Sequence, residues 1–180
     1  MYKKNLYTEV DFKLNEKIDA FVDYQLDQTK KIINQKIDVT AAFTKIRYFT
    51  DTVNRLFLAT GKTIDENENR LIFLLDQKVK IEANQLSSGE KQLLLILLTV
   101  LCQDEKPSIL LMDEPEISLH LRWQYELIEI IRALNPNCQV IIVTHSPSIF
   151  GKGWRDKVFF MDKIISKMEN FFQQNKEITY

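Results

Sequence analysis

Residues 108–115 read SILLMDEP, a run of large apolar side chains that ends in two adjacent carboxylates and a proline. Residues 140–147, VIIVTHSP, repeat the design with a histidine in place of the carboxylates. Continuous β-branched and leucine runs separated by helical patterns are typical of buried parallel strands. We therefore predict the α/β class, with a mostly parallel sheet that is flanked by helices, covered on both faces and preceded by a helical segment.

Helical patterns lie on both sides of these two strands. The remaining predicted helices are at residues 8–36 (one or two), 41–59, 91–101, 118–134 and the C-terminus, and further short strands are predicted at 70–75, 78–81 and 157–161. This pattern divides the chain into a helical connecting segment with a short strand pair (1–83), a central region (84–162) and a C-terminal helix (163–180).

Composition restricts the function classes. The 180 residues carry a net charge of −1, so no global basic field attracts nucleic acid or a membrane surface. Cys102 and Cys138 lie in or beside apolar runs and have the character of core residues in a reducing compartment. The N-terminus has no apolar leader, and the apolar runs are shorter than the roughly 20 residues of a membrane span. A cytoplasmic protein without a membrane partner is expected.

Asp113 and Glu114 end the first strand. Ligand sites of open α/β sheets lie outside the carboxyl ends of the strands. An aspartate there can hold hydrated Mg²⁺, and a neighbouring glutamate can orient an attacking water. The alternative is a strand end that turns polar where it reaches solvent.

His145 ends the second strand. Its imidazole is suited to contact a terminal phosphate or a water, and the alternative is a structural histidine. If the two strands are parallel neighbours, His145 lies on the same rim as Asp113 and Glu114.

Residues 86–92, LSSGEKQ, lead into the apolar helix. Ser87, Ser88, Gly89 and Glu90 would expose hydroxyl and backbone N–H groups at a helix N-terminus, where the helix dipole favours an anion. The alternative is a plain N-cap formed by Ser87 or Ser88.

Taken together and in this order, the three motifs resemble the ABC ATPase superfamily over residues 84–162. Residues 86–90 look like its signature motif, 109–114 like its Walker B strand, and 115–120 like its D-loop. The resemblance implies that Glu114 is the catalytic glutamate, that His145 is the switch histidine and that Asp113 orders Mg²⁺. It also implies that Ser87 and Gly89 touch the γ-phosphate of a nucleotide held by a second head.

The details of the motifs indicate one branch of the superfamily. Residues 114–120, EPEISLH, and 144–147, THSP, look like the RecF, OLD and PtuA side rather than the transporters. Ser88 and His120 stand where the transporters usually have glycine and aspartate, and Leu121 stands where many relatives have proline. This branch implies DNA repair or antiphage defence, with DNA or a nuclease among the partners.

The phosphate-binding loop GxxxxGK[ST] is absent from the sequence. Gly61-Lys62-Thr63 is its one Gly-Lys-Thr, but Leu56 stands five positions before Gly61 inside a helical pattern, so we interpret it as a helix end. Binding of ATP and Mg²⁺ is then expected to need a P-loop from elsewhere, and the chain alone is not expected to hydrolyse ATP. A fragment, a truncated gene and one piece of a split ATPase remain alternatives.

Three functions are compatible with the sequence. The first is part of an ATPase head, which would dimerise with a like or unlike head or with a P-loop-bearing chain. The second is a non-enzymatic regulator that presents its signature face to another ATPase, and the third is a structural remnant. Five basic residues of the helical segment could form a face that binds nucleic acid, but a solvated face is favoured because acidic residues lie among them. Those cations are Lys30, Lys31, Lys36, Lys45 and Arg47.

Overall fold

The computed structural model describes residues 2–34, 39–68, 70–151 and 153–176, with side chains for 11–34, 43–68, 70–151 and 153–168. The helices are α1 (Tyr2–Ile33), α2 (Val39–Phe57), α3 (Ser88–Leu101), α4 (Leu121–Leu134), α5 (Pro147–Phe150) and α6 (Met161–Lys176). The strands are β1 (Lys62–Ile64), β2 (Ile72–Leu75), β3 (Val79–Glu82), β4 (Ser108–Asp113) and β5 (Cys138–Val143). Short 3₁₀ helices span Leu58–Thr60, Ala83–Gln85, Pro115–Ser118 and Arg155–Lys157.

The apolar helix α3 forms the centre of the core. Its leucines 93, 94, 97 and 98 are fully buried, because α1, α2 and α4 all pack against it. The stripe of α1 contributes Leu14 and Phe21, and the Phe21 ring lies 5.4 Å from the ring of Phe49 in α2. The predicted helices at 8–36 and 41–59 are therefore confirmed as α1 and α2.

A small antiparallel sheet follows α2 in the order β1-β2-β3. Gly61 ends the preceding 3₁₀ turn with φ 68°, a left-handed conformation that glycine adopts without steric cost. Asp76 and Gln77 make the predicted turn between β2 and β3, both with positive φ. The predicted strand pair is thus present, and β1 joins it as a third strand.

The parallel sheet consists of β4 and β5, with Ser108 paired to Cys138 and Asp113 to Val143. One of its faces packs on the core through Leu110, Met112, Val140 and Ile142. The opposite face is exposed: Ile109 by 62%, Leu111 by 70%, Ile141 by 46% and Val143 by 56%. The expectation of a sheet covered on both faces is therefore wrong for the described residues.

The α/β class is confirmed, since helices alternate with the strands of the parallel sheet. The strand predicted at 157–161 is wrong, because residues 158–160 lie outside any strand and α6 begins at Met161. Phe159 is 78% exposed, so no neighbouring strand covers it. Among the described residues, no helix has the length and apolarity to cross a membrane.

Candidate functional site

Glu114 and His145 meet at the carboxyl edge of the parallel sheet. The Glu114 N–H donates to the Val143 carbonyl at 2.8 Å, which aligns the ends of the two strands. His145 Nε2 lies 3.4 Å from Glu114 Oε1. The imidazole is 95% exposed, so it faces solvent rather than the core. The predicted common rim therefore exists, with an imidazole beside a carboxylate.

Glu114 has a backbone conformation that side-chain-bearing residues rarely adopt. Its φ is 44° and its ψ is 50°, in the left-handed region. This conformation costs of order 1–3 kcal/mol for a residue other than glycine, and such costs cluster at functional sites. The turn it makes directs the chain from β4 into the 3₁₀ helix Pro115–Ser118.

Asp113 is the last residue of β4, and its side chain is exposed. The described residues contain no cluster of three side chains of the kinds that ligate metals. Mg²⁺ is commonly bound by one or two carboxylates together with substrate phosphates. A single exposed carboxylate therefore fits the ion only in the presence of phosphate oxygens.

Ser87 caps helix α3 as predicted for an N-cap. Its Oγ accepts the Glu90 N–H at 3.3 Å, and its own N–H donates to Glu90 Oε2 at 2.8 Å, which completes a capping box. As an acceptor in this bond, the hydroxyl keeps its proton available to donate. The N–H groups of Ser88 and Gly89 lie in the first turn, where helix geometry provides no intrahelical acceptor. These N–H groups lie at the N-terminal end of the helix, where the helix dipole attracts an anion.

Glu90 is fully buried behind the capping box, with a side-chain exposure of 0%. The Lys62 side chain is 15% exposed, and its Nζ lies 2.9 Å from both carboxylate oxygens. The Thr60 hydroxyl donates to Oε1 at 2.6 Å. Burial alone would raise the pKa of Glu90, but the hydrogen bonds from Thr60, Lys62 and Ser87 outweigh burial and lower it. Glu90 is therefore a buried carboxylate with a counter-charge.

The Gly61-Lys62-Thr63 sequence thus holds the signature loop instead of a phosphate. Its interpretation as a helix end is confirmed by the left-handed Gly61. The ion pair was not predicted, because Lys62 and Glu90 are 28 positions apart and nothing local in the sequence links them.

Gly89 allows the start of α3 to approach the D-loop. A Cβ added at this position would lie 2.2 Å from the Ser118 carbonyl oxygen, which is backbone and cannot rotate away. Any larger residue would separate α3 from the 3₁₀ helix Pro115–Ser118. The glycine of the signature-like motif therefore serves a packing contact inside this chain.

Glu116, which sequence reasoning did not single out, joins the D-loop to the loop after β5. Its Oε1 accepts from the Thr144 hydroxyl, from the His145 N–H at 3.2 Å and from the Ser146 N–H at 3.1 Å. Its Oε2 is buried and has no partner among the described residues. Burial would raise the pKa of Glu116, but the hydrogen bond from Thr144 and other bonds lower it.

Gln124 makes a second connection between the same loops. Its Nε2 donates to the Leu119 carbonyl at 2.9 Å, and its Oε1 accepts the Ser146 hydroxyl at 2.8 Å. His120, at the aspartate position of the D-loop pattern, caps α4 through an Nδ1 that accepts the Arg122 N–H at 3.3 Å. The D-loop, α4 and the loop after β5 are thus one hydrogen-bonded unit.

Two lysines of the candidate basic face of the helical segment are paired with acidic side chains. Lys31 pairs with Asp27 at 2.8 Å and Asp104 at 2.7 Å, and Lys45 pairs with Glu105 at 2.7 Å. Lys36 lies outside the described residues. A solvated, ion-paired surface accounts for Lys31 and Lys45 without nucleic acid.

A model of the family described as "AAA domain, putative AbiEii toxin, Type IV TA system" matches residues 4–151. The phosphate import ATP-binding protein PstB of Malacoplasma penetrans is 38% identical over 98 residues, which are 53% of this chain and 33% of that protein. A probable metal transport system ATP-binding protein of Chlamydia trachomatis is 29% identical over 85 residues, 47% of this chain and 34% of that protein. The chain thus spans about a third of the length of these curated relatives.

Among solved structures, this chain is similar to the crystal structure of the SmcHead bound to the C-winged helix domain of ScpA. The match covers 62% of this chain and 37% of the chain in that structure. The TM-score is 0.47 and the identity 18%.

Proposed function

The chain belongs to the AAA-domain family described as putative AbiEii toxin, Type IV TA system, and we propose that it is the signature-bearing part of an ATP-hydrolysing head completed by a P-loop segment. One observation carries the proposal: Glu114 and His145 lie 3.4 Å apart beside Asp113 at the carboxyl edge of two parallel strands. This edge carries hydrolytic groups, while the sequence contains no GxxxxGK[ST] loop to hold a phosphate. Both curated relatives are named as ATP-binding proteins, which supports ATP as the nucleotide.

Each residue of the edge has a distinct role in the proposed head. Asp113 would hold Mg²⁺ together with phosphate oxygens, and the ion would neutralise phosphate charge. Glu114 orients and polarises the attacking water, for which its carboxylate beside His145 on the rim and its left-handed turn suit it. His145 contacts the γ-phosphate from the neighbouring strand end.

The signature loop acts on a second nucleotide. Ser87 and the N–H groups of Ser88 and Gly89 donate to the γ-phosphate of ATP that another head holds. The Lys62 ammonium neutralises the charge of Glu90, the residue that follows Gly89. Without this ion pair, the Glu90 carboxylate would repel that phosphate. The chain therefore contributes to two different sites, one at each motif.

The exposed face of the parallel sheet is where we place the missing layer. Parallel sheets occur almost always with both faces covered, and here one face presents Ile109, Leu111, Ile141 and Val143. This face adjoins the edge that carries Asp113 and Glu114. A segment that covered it with a strand or helix would also bring its phosphate-binding loop to that edge.

The biological setting follows from the finer resemblance. The EPEISLH and THSP motifs favour a head that serves DNA repair or antiphage defence in the cytoplasm, with a nuclease or DNA as further partner. A regulator that presents its signature face without hydrolysis is the alternative, which the ion-paired cap at Ser87 and Glu90 supports equally.

Reconstitution tests the proposal. The purified chain is mixed with a co-encoded chain, or joined to an upstream segment, that contains GxxxxGK[ST], and phosphate release from ATP is measured. We expect no hydrolysis by the chain alone, hydrolysis by the assembly, and its loss in Glu114→Gln but not in Glu129→Gln, a matched change at an exposed position of α4. Glu114-dependent hydrolysis by the chain alone would contradict the proposal.

A second measurement separates the head from the regulator. ATP-dependent complex formation, followed by light scattering, should be abolished by Ser87→Arg in both cases. If the complex forms while Glu114→Gln leaves its ATPase rate unchanged, the regulator is correct.

A further inference from the structure

Glu116 occupies a position that hydrolysis, as proposed above, does not use. It lies between Glu114 and the exposed Ile117, at the start of the D-loop. Three donors from three consecutive residues of another loop converge on one oxygen of its carboxylate.

The convergence fixes the loop that carries His145. Residues 144–146 have left strand β5 and have no sheet partner to hold their N–H groups. The His145 N–H and the Thr144 hydroxyl donate to Glu116 Oε1. The Ser146 N–H is shared between Glu116 Oε1 at 3.1 Å and Thr144 Oγ1 at 2.9 Å. Hydrogen bonds to an ionised carboxylate are roughly twice as strong as those between neutral groups. The D-loop therefore helps to hold the backbone that carries the imidazole, together with the hydrogen bond from the Ser146 hydroxyl to Gln124.

The carboxylate carries a cost that stability alone does not explain. Its second oxygen, Oε2, is buried without a partner among the described residues, and a buried unsatisfied acceptor is destabilising. Such a feature is retained where a group is needed for something other than stability.

We propose that Glu116 is the positioning residue for His145: it couples the D-loop to the histidine that lies 3.4 Å from Glu114. The proposal rests on the proposed function for the role of His145, but its structural half does not. A displacement of the D-loop, for example when a second head contacts the exposed Ile117, would move His145 through the carboxylate. Contact with a second head would in this way change the position of His145 relative to Glu114.

Amide exchange measured by NMR on the full chain tests the coupling without nucleotide. In Glu116→Ala, the His145 amide should exchange about tenfold faster or more, because its charged acceptor is lost. The Ser146 amide should accelerate less, because Thr144 Oγ1 at 2.9 Å still accepts its N–H. The Glu114 amide, which donates to the Val143 carbonyl, is the internal reference and should stay protected. Glu129→Ala, which removes an exposed acceptor of the Trp154 N–H, is the matched control and should change none of the three.

The conservative variant keeps the test decisive. Glu116→Gln retains an acceptor oxygen but loses the charge, so exchange at His145 and Ser146 should lie between wild type and Glu116→Ala. If Glu116→Ala fails to fold, this variant alone decides: faster exchange of the His145 amide supports the proposal, and unchanged exchange overturns it. Unchanged exchange in a folded Glu116→Ala, or equal acceleration in Glu129→Ala, also overturns it.

The functional half has its own readout in the assembled ATPase. Glu116→Gln should lower kcat by about tenfold or more while KM for ATP changes little, because the P-loop grips the nucleotide. Failure of every assembly to hydrolyse ATP would refute the proposed function and leave the amide result standing. Normal kcat in Glu116→Gln, in an assembly that needs Glu114, would refute the positioning role alone.

Discussion

Replacing Lys62 with methionine would isolate the ion pair behind the signature loop. Methionine keeps most of the apolar stem of lysine and removes the ammonium group. Glu90 would then remain fully buried, with the Thr60 hydroxyl at 2.6 Å and the Ser87 N–H at 2.8 Å as donors but without a counter-charge. The perturbation is therefore one of charge rather than volume.

The expected loss is about 3 kcal/mol of unfolding free energy. Removing one partner of a buried ion pair typically costs about 3–5 kcal/mol, because the remaining charge is uncompensated. The lower end applies since two donors still satisfy the Glu90 carboxylate. For a chain of this size each kcal/mol lowers Tm by about 2–4 °C, so Tm should fall by about 6–12 °C.

Urea and thermal unfolding followed by circular dichroism measure this loss. Lys62→Met/Glu90→Gln should regain stability to within about 1 kcal/mol of wild type, because no buried charge is left. Lys157→Met, which removes an ion pair with Asp156 in which the two side chains are 70% and 66% exposed, should cost under about 1 kcal/mol. A Lys62→Met variant as stable as wild type, or a double variant no better than the single one, would refute the reasoning.

The pH dependence of the same variant gives a second check. The lowered pKa of Glu90 means that its ion pair stabilises the fold above the ordinary glutamate pKa of 4.5 and that this contribution is lost as pH falls through the lowered pKa. Without Lys62 the carboxyl can protonate on acidification and escape its unpaired charge. The stability difference between wild type and Lys62→Met should therefore shrink between pH 7 and pH 4, and a constant difference would contradict the assignment.

Three further outcomes follow from the geometry. Gly89→Ala should destabilise the chain by about 1–3 kcal/mol in urea unfolding, because its Cβ would meet the Ser118 carbonyl at 2.2 Å, whereas Ser88→Ala should stay within about 0.5 kcal/mol. Leu111→Ser, at a side chain 70% exposed, should leave Tm nearly unchanged and reduce binding of the dye ANS, yet prevent association with a P-loop segment. Burial raises the pKa of the Cys102 thiol to about 11, so iodoacetamide should alkylate it at pH 8 at least about tenfold more slowly in the folded chain than in urea.

The sequence predicted the elements whose patterns are long and locally consistent. The apolar helix α3 and the strands β4 and β5 were predicted to within a few residues, because continuous hydrophobic runs leave few alternatives. Strand β1 was missed, since Lys62–Ile64 has three residues and becomes a strand only by pairing with β2. The strand that was wrongly predicted at 157–161 shows the converse. Its valine and phenylalanines favour a strand locally, but no strand among the described residues pairs with this segment.

The candidate site divides along the same line. Asp113, Glu114 and His145 were predictable because their chemistry stands at the ends of recognisable strands. Lys62 and Glu116 were not, because each acts on a partner 28 positions away. Such contacts depend on how elements pack, and no local pattern records them.

These unpredicted contacts make one unit of three motifs that the sequence presents separately. The signature loop is held from β1 through Glu90, and it meets the D-loop where Gly89 contacts Ser118. The D-loop in turn holds the loop of His145 through Glu116. Because each contact shares an element with the next, substitutions at Lys62, Gly89 and Glu116 should not be additive, unlike changes at distant, independent positions. Motifs that are local in sequence thus specify the chemistry, and tertiary contacts between them decide whether the chemical groups act together.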